Sequence, residues 1–185
     1  ILDANTLQLE VNIGDVENDD SVQGTTEEQS FFFTIYDTRP MMQPDGQIGT
    51  KKNFSNVKGD EVYNTTGSGQ RIATKPVGRK KGRFFFAVEN DGKAVDGYGI
   101  RQKGAKKDIR LKYFRLTGGR VNVTSSIRTG AVLDTDHRPG ELTQFQGEVR
   151  YRSLDERKRR NLRLTATSTE EGTSDTVRTI VKPSR

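Results

Sequence analysis

RKKGRFFFAVENDG, residues 79–92, sets three consecutive phenylalanines between a basic run and an Asn-Asp-Gly turn. A second stretch, EEQSFFFTIYDTRP at residues 27–40, carries the same triplet but is entered through acidic residues. In an extended chain side chains alternate between faces, so Phe84, Phe86 and Val88 share one side while Phe85 and Ala87 share the other. Phe31, Phe33 and Ile35 oppose Phe32 and Tyr36 in the same way. Burying one phenylalanine is worth roughly 1.5–3 kcal/mol, so neither face is expected to stay wet. A two-layer sandwich covers one face of such a strand. The other needs a loop, a helix or a neighbouring chain, and Phe32 and Phe85 are the expected contact residues. The likeness ends at the flanks, so the triplets do not mark a duplicated domain.

Outward from the triplets, the dominant period is two. TLQLEVNI places Leu7, Leu9, Val11 and Ile13 on one face, and IRLKY does the same with Ile109, Leu111 and Tyr113. RVNVTSSI follows TGG (residues 117–119), whose glycines suit a hairpin turn. EVRYRSL, NLRLTATST and TVRTIV (176–181) alternate as well. Nineteen glycines punctuate the chain, as a many-stranded antiparallel fold requires. SLDERKRRNL at 153–162 has capping-box spacing between Ser153 and Glu156 but only two apolar residues, and reads as one exposed helical turn or a charged hairpin loop. The expected fold is all-β: an antiparallel β-sandwich or jelly roll with long loops and an extended N-terminal arm. Residues 1–28 read as an acidic strand and tether, and 29–185 as the sandwich. Within it, the turn-rich stretch 37–82 reads as a basic loop insertion.

Only 30% of the 185 residues are hydrophobic and 30% are charged, which makes for a lean core that gains from partners. There is no cysteine, which excludes disulfides, zinc–thiolate sites and cysteine nucleophiles. No apolar run approaches the ~20 residues of a membrane helix. A chain beginning at Ile1 reads as processed or trimmed, and Asn53, Asn64 and Asn122 head glycosylation-type triplets. Charge is segregated. Residues 1–50 hold ten acidic residues and one basic, whereas residues 51–120 hold 18 basic and six acidic.

Motifs of chemistry are scarce. The single histidine, His137 in DTDHRPGE, lies beside Asp134 and Asp136 and reads as part of a solvated turn. GDVENDD at 14–20 has a calcium-like composition without EF-hand spacing. No nucleophile–base pairing and no phosphate-binding loop is apparent, so no catalytic residue, metal ligand or cofactor is expected. Three basic clusters are the main polar signal: Arg79, Lys80, Lys81 and Arg83; Lys103, Lys106, Lys107 and Arg110; and Arg157, Lys158, Arg159 and Arg160. They suit acidic protein, with the acidic N-terminal fifty residues as the obvious counterpart, or a nucleic-acid backbone. The first strand, on its acidic tether, pairs in its own sheet or completes a neighbour's by strand addition.

FRLTGGRVNV (114–123) resembles the end of the small basic linker domain of phycobilisomes, and RFFFAVEND resembles its first strand. That resemblance implies a non-enzymatic basic linker with a helix within residues 104–116, where the alternation reads a strand. The expected function is a non-enzymatic structural subunit of a repeating assembly, in a virion or an extracellular filament, with copies of itself or other subunits as partners. A nucleic-acid-binding protein is the second reading. A secreted carbohydrate-binding sandwich is third, and the absence of tryptophan counts against it.

Overall fold

In the computed structural model, residues 39–76, 81–153 and 158–183 are described. The chain divides into two units, Ile1–Tyr36 and Asp37–Arg185. Leu7, Leu9, Val11, Ile13 and Phe32 therefore lie outside the described residues, as do Arg79, Lys80 and Arg157.

The second unit is an all-β sandwich of two five-stranded sheets. Its elements are β1 (Pro44–Gly49), β2 (Arg71–Thr74), β3 (Gly82–Asn90), β4 (Asp96–Lys103), β5 (Ile109–Arg115) and β6 (Val121–Asn122). They continue with α1 (Thr124–Thr129), β7 (Val132–His137), β8 (Leu142–Tyr151), β9 (Arg160–Ser168) and β10 (Ser174–Val181). Sheet A has the order β1-β3-β8-β5-β6 and sheet B the order β2-β10-β9-β4-β7. The pairings are antiparallel except for β2, which runs parallel to β10 at one edge.

The second phenylalanine triplet builds the core as its alternation requires. Phe84, Phe86 and Val88 face inward and join Ile48, Tyr113 and Phe145 of sheet A. Against them pack Tyr98, Ile100, Leu164, Ala166 and Val177 of sheet B, with Ile127 of α1. Phe86 stacks on Phe145 at 5.0 Å between ring centroids, and Tyr113 meets Phe84 and Phe86 edge-on at 6.3 and 6.2 Å. Such pairs add about 0.5–1.5 kcal/mol beyond their buried area. In register, Gly147 of β8 lies directly between Phe84 of β3 and Tyr113 of β5. A side chain there would overlap the Phe84 ring. A smaller cluster of Ile109, Val149, Tyr151, Leu162 and Val181 closes one end of the sandwich.

Several expectations change. PDGQIG reads as a turn, yet residues 44–49 form strand β1 and all six are buried. Its second edge is covered by Lys58, which bridges Ile48. Two strands of the sandwich thus fall inside the stretch read as a loop insertion. The TGG turn does make a hairpin, with Gly118 and Gly119 at positive φ of 70° and 113°. Strand β6 stops after two residues, however, and the chain turns into α1, where Ile127 is drawn into the core. The two strands flanking the charged stretch near 153–162 belong to different sheets, so their connection is a crossing and not a hairpin loop. Residues 109–115, where the phycobilisome linker would place helix, form strand β5. That resemblance is not met.

Replacing Gly147 with alanine forces a methyl group into the Phe84 ring. Overpacking of this kind costs roughly 1–3 kcal/mol. The expected outcome is a lower denaturation midpoint with the slope unchanged.

Candidate interaction surfaces and cation-binding groups

Strand register assembles basic surfaces that the linear sequence hides. On the outer face of sheet B, Arg71 of β2 pairs with Arg178 of β10, Arg178 with Arg163 of β9, and Arg163 with Lys103 of β4. Four cations thus stand in one row across four adjacent strands. At a strand spacing of about 4.8 Å the row is about 14 Å long. The flanking positions are Arg101, Thr165 and Thr176 on one side and Asn161, Ile180 and Ala73 on the other. None of these is acidic. Arg71, Arg101, Lys103 and Arg163 are exposed, and Arg178 is half-buried with its Nε donating to Asn161 Oδ1 at 3.3 Å. Like charges placed directly opposite one another oppose sheet formation, so the row has a cost that an anionic partner would remove.

Sheet A treats its cations differently. Glu148, 5% exposed, takes Lys81 at 2.8 Å, Arg120 at 3.4 Å and Arg83 at 3.9 Å. The Arg120 guanidinium also lies 3.5 Å over the Phe114 ring. Lys81 and Arg83, from the first basic cluster, are therefore partly neutralised. Of the second cluster, Lys106, Lys107 and Arg110 line a cleft with Lys112, Arg128 and Arg152, while Lys103 stands apart in the sheet B row. Of the third, Lys158 and Arg159 are exposed. Arg160 is held by Asp108, with Nη2 2.8 Å and Nε 2.9 Å from Oδ2. Arg71, Arg163 and Arg178 escaped sequence reading because Arg71 and Arg178 have no basic neighbour in the chain, Arg163 lies just beyond the third cluster, and only the strand pairing brings them together. Phe85, expected as a contact residue, is 8% exposed and already covered within the single chain.

Carboxylates gather at the far corner of sheet A. Asp45, Asp60 and Glu89 present oxygens within 4.8 Å of one another. The Gln47 amide Nε2 donates to Asp60 at 2.7 Å, Glu89 at 3.0 Å and Asp45 at 3.5 Å. Burial and the negative charge of Asp91 push the Asp45 carboxyl up to about 7. Burial raises Glu89 too, with Asp91 and Asp60 adding to it. Asp91 accepts a hydrogen bond from the Tyr63 hydroxyl at 2.6 Å. The three carboxylates are an all-oxygen set of the kind that suits a hard divalent cation.

His137 overturns its expected place in a solvated turn. It is the last residue of β7 and fully buried, packed edge-on to Tyr98 at 4.8 Å. Asp134 and Glu141 lie beside its Nδ1 and join it in a second group of close ligand atoms. Among the described residues, no helix is long and apolar enough to cross a membrane.

A proton-linked consequence follows for the first corner. The folded-state pKa of Asp45, about 7, lies above its ordinary 3.8, so folding takes up a proton between those values. The contribution of Asp45 to stability therefore falls as pH rises from about 4 to about 7 and is flat above. Asp45→Asn removes this contribution. With chelator present, the variant is expected to melt roughly 2–5 °C higher than the parent at pH 8 and to gain nothing at pH 4, as read by thermal melts across pH.

No family model matches the sequence, and no curated protein matches it. Among solved structures, a FixG-related protein from Vibrio parahaemolyticus is similar at a TM-score of 0.41 and 10% identity, over 77% of this chain and 97% of that one. The N-terminal domain of PorA is similar at a TM-score of 0.41 and 12% identity, over 76% and 97%. A family 123 glycoside hydrolase from Clostridium perfringens gives a TM-score of 0.44 at 10% identity, over 76% of this chain and 27% of that one.

Proposed function

We propose that this chain is a non-catalytic structural subunit of a repeating assembly, in a virion or an extracellular filament, which docks an acidic segment of a neighbouring copy on the outer face of sheet B. The observation that carries this reading is the row Arg71–Arg178–Arg163–Lys103. A sheet face with four cations in register and no carboxylate among them favours an extended anionic partner. The chain supplies one of matching sign, since residues 1–38 hold nine acidic residues and no basic one. Charge complementarity of this kind raises association rates and fixes register more than it raises affinity. It therefore suits a contact repeated many times, where weak links add.

Light scattering behind size exclusion tests the reading. The full chain is expected to self-associate in low salt and to dissociate as salt is raised. The double variant Arg163→Glu/Arg178→Glu is expected to stay monomeric with its fold intact. If that variant assembles like the parent, or if Lys106→Glu/Lys107→Glu in the separate cleft abolishes assembly instead, sheet B is not the docking face. A parent that stays monomeric in low salt but shifts a single-stranded nucleic-acid probe with a steep salt slope would overturn the assembly reading in favour of a nucleic-acid partner.

A further inference from the structure

His137 poses a problem of physical chemistry. Its side chain is 0% exposed, and neither ring nitrogen has a hydrogen-bond partner. A buried polar group left in that state costs roughly 1–3 kcal/mol, and imidazole has two such atoms. The nearest polar groups are carboxylates: Asp134 Oδ2 at 3.7 Å and Glu141 Oε2 at 3.9 Å, both from Nδ1. These distances are too long for hydrogen bonds, which lie near 2.7–3.2 Å. They are close to the separation between two ligands of one tetrahedral ion: bonds of about 2.0–2.1 Å place neighbouring ligand atoms about 3.4 Å apart.

The backbone brings these groups together by an irregularity. Asp134 and His137 are three residues apart, so in a regular strand they would face opposite ways. The β4–β7 register slips here: His137 pairs with Asp96 while Asp134 pairs with Tyr98, so two steps along β4 match three along β7. A bulge of this kind re-aims side chains. The turn that follows, closed by the Glu141 N–H donating to the Arg138 carbonyl at 2.9 Å, returns Glu141 to the same place.

We infer that Asp134, His137 and Glu141 form a binding site for a divalent metal ion of the zinc class, held by the imidazole Nδ1 and one oxygen from each carboxylate. The donor set selects the class. A nitrogen ligand disfavours calcium and magnesium, which take oxygen, and the chain holds no thiolate. The carboxylates are already oriented. Asp134 Oδ1 accepts the Asp136 N–H at 3.1 Å, which leaves Oδ2 turned toward the histidine. Glu141 Oε2 accepts the Arg138 N–H at 3.0 Å, a support of the sort that metal-binding carboxylates receive. The site is open to solvent on the carboxylate side, since Asp134 is 25% and Glu141 40% exposed. An ion has a path in, and water can fill the remaining coordination. With Asp134 and His137 on β7 and Glu141 on the turn that leads into β8, the role is structural: the ion ties the β7–β8 turn to the core.

The test uses the full chain, stripped with chelator and then titrated with Co2+ by visible absorption and with Zn2+ by calorimetry. One Co2+ per chain is expected, with a ligand-field band of low-symmetry nitrogen–oxygen coordination that Zn2+ bleaches. His137→Ala should abolish the band. Glu141→Gln, at a half-exposed side chain that does not endanger folding, should weaken Zn2+ binding by at least the roughly tenfold that even an outer-shell partner is worth. The inference is overturned if Co2+ gives no such band. It is equally overturned if Glu141→Gln binds Zn2+ like the parent, or if the band survives Glu141→Gln but is lost in Asp45→Asn, which would place the metal at the other corner.

Discussion

Four aromatic rings from strands β3, β8 and β5 must fit into a gap between two sheets about 10 Å apart, and the rest of the molecule depends on how they do so. Phe84 and Tyr113 stand on either side of β8, and the residue of β8 between them is Gly147. Because that position carries no side chain, the two rings close over it edge to face, and Phe86 continues the packing onto Phe145. A chain with only 30% hydrophobic residues has little apolar surface to spend. It concentrates that surface on the inner faces of β3, β5 and β8, which leaves the outer faces free to carry charge.

The charges on those outer faces are handled in three ways. On sheet A, Glu148 draws three cations onto one nearly buried carboxylate. At the far corner of the same sheet, carboxylates crowd Gln47, and Asp45 is pushed toward its neutral form. On sheet B no carboxylate stands in register beside the cations of the central row. The first arrangement is satisfied within the chain, the second takes up a proton, and the third is open to a partner. That contrast, more than net charge, is what the proposed docking on sheet B rests on. It is why the basic clusters visible in sequence differ in standing: Arg160 is bound to Asp108, whereas Lys103 belongs to the open row.

Much of the architecture was legible because period-two alternation is a local signal. Phe84, Phe86 and Val88 against Phe85 and Ala87, and Ile109 and Tyr113 against Arg110 and Lys112, could be read without knowing any partner strand. Strand β1 could not. Proline, two glycines and an aspartate all argue for a turn, and only the tertiary context overrides them: the Gly46 N–H donates to Asp175 on the opposite sheet, and Lys58 covers the outer edge. The sheet B row was illegible for a related reason, since the register between β4, β9, β10 and β2, drawn from distant parts of the chain, is not written in any one strand. His137 misled because a polar DTDHRPGE context is what a solvated turn looks like. The irregular pairing with β4 that rotates the ring inward leaves no mark in the local composition.

The parallel strand β2 is short, lies at the sheet edge and carries Arg71, the end of the cationic row. Its four residues must therefore join β10 against electrostatic repulsion, in a pairing with few backbone bonds to offset it. The mobile-ion atmosphere then becomes part of what holds this margin closed: dilute buffer strips away the screening and favours fraying, while bound polyvalent anions would clamp it. Any anion bound along the row would thus be thermodynamically linked to the order of this edge.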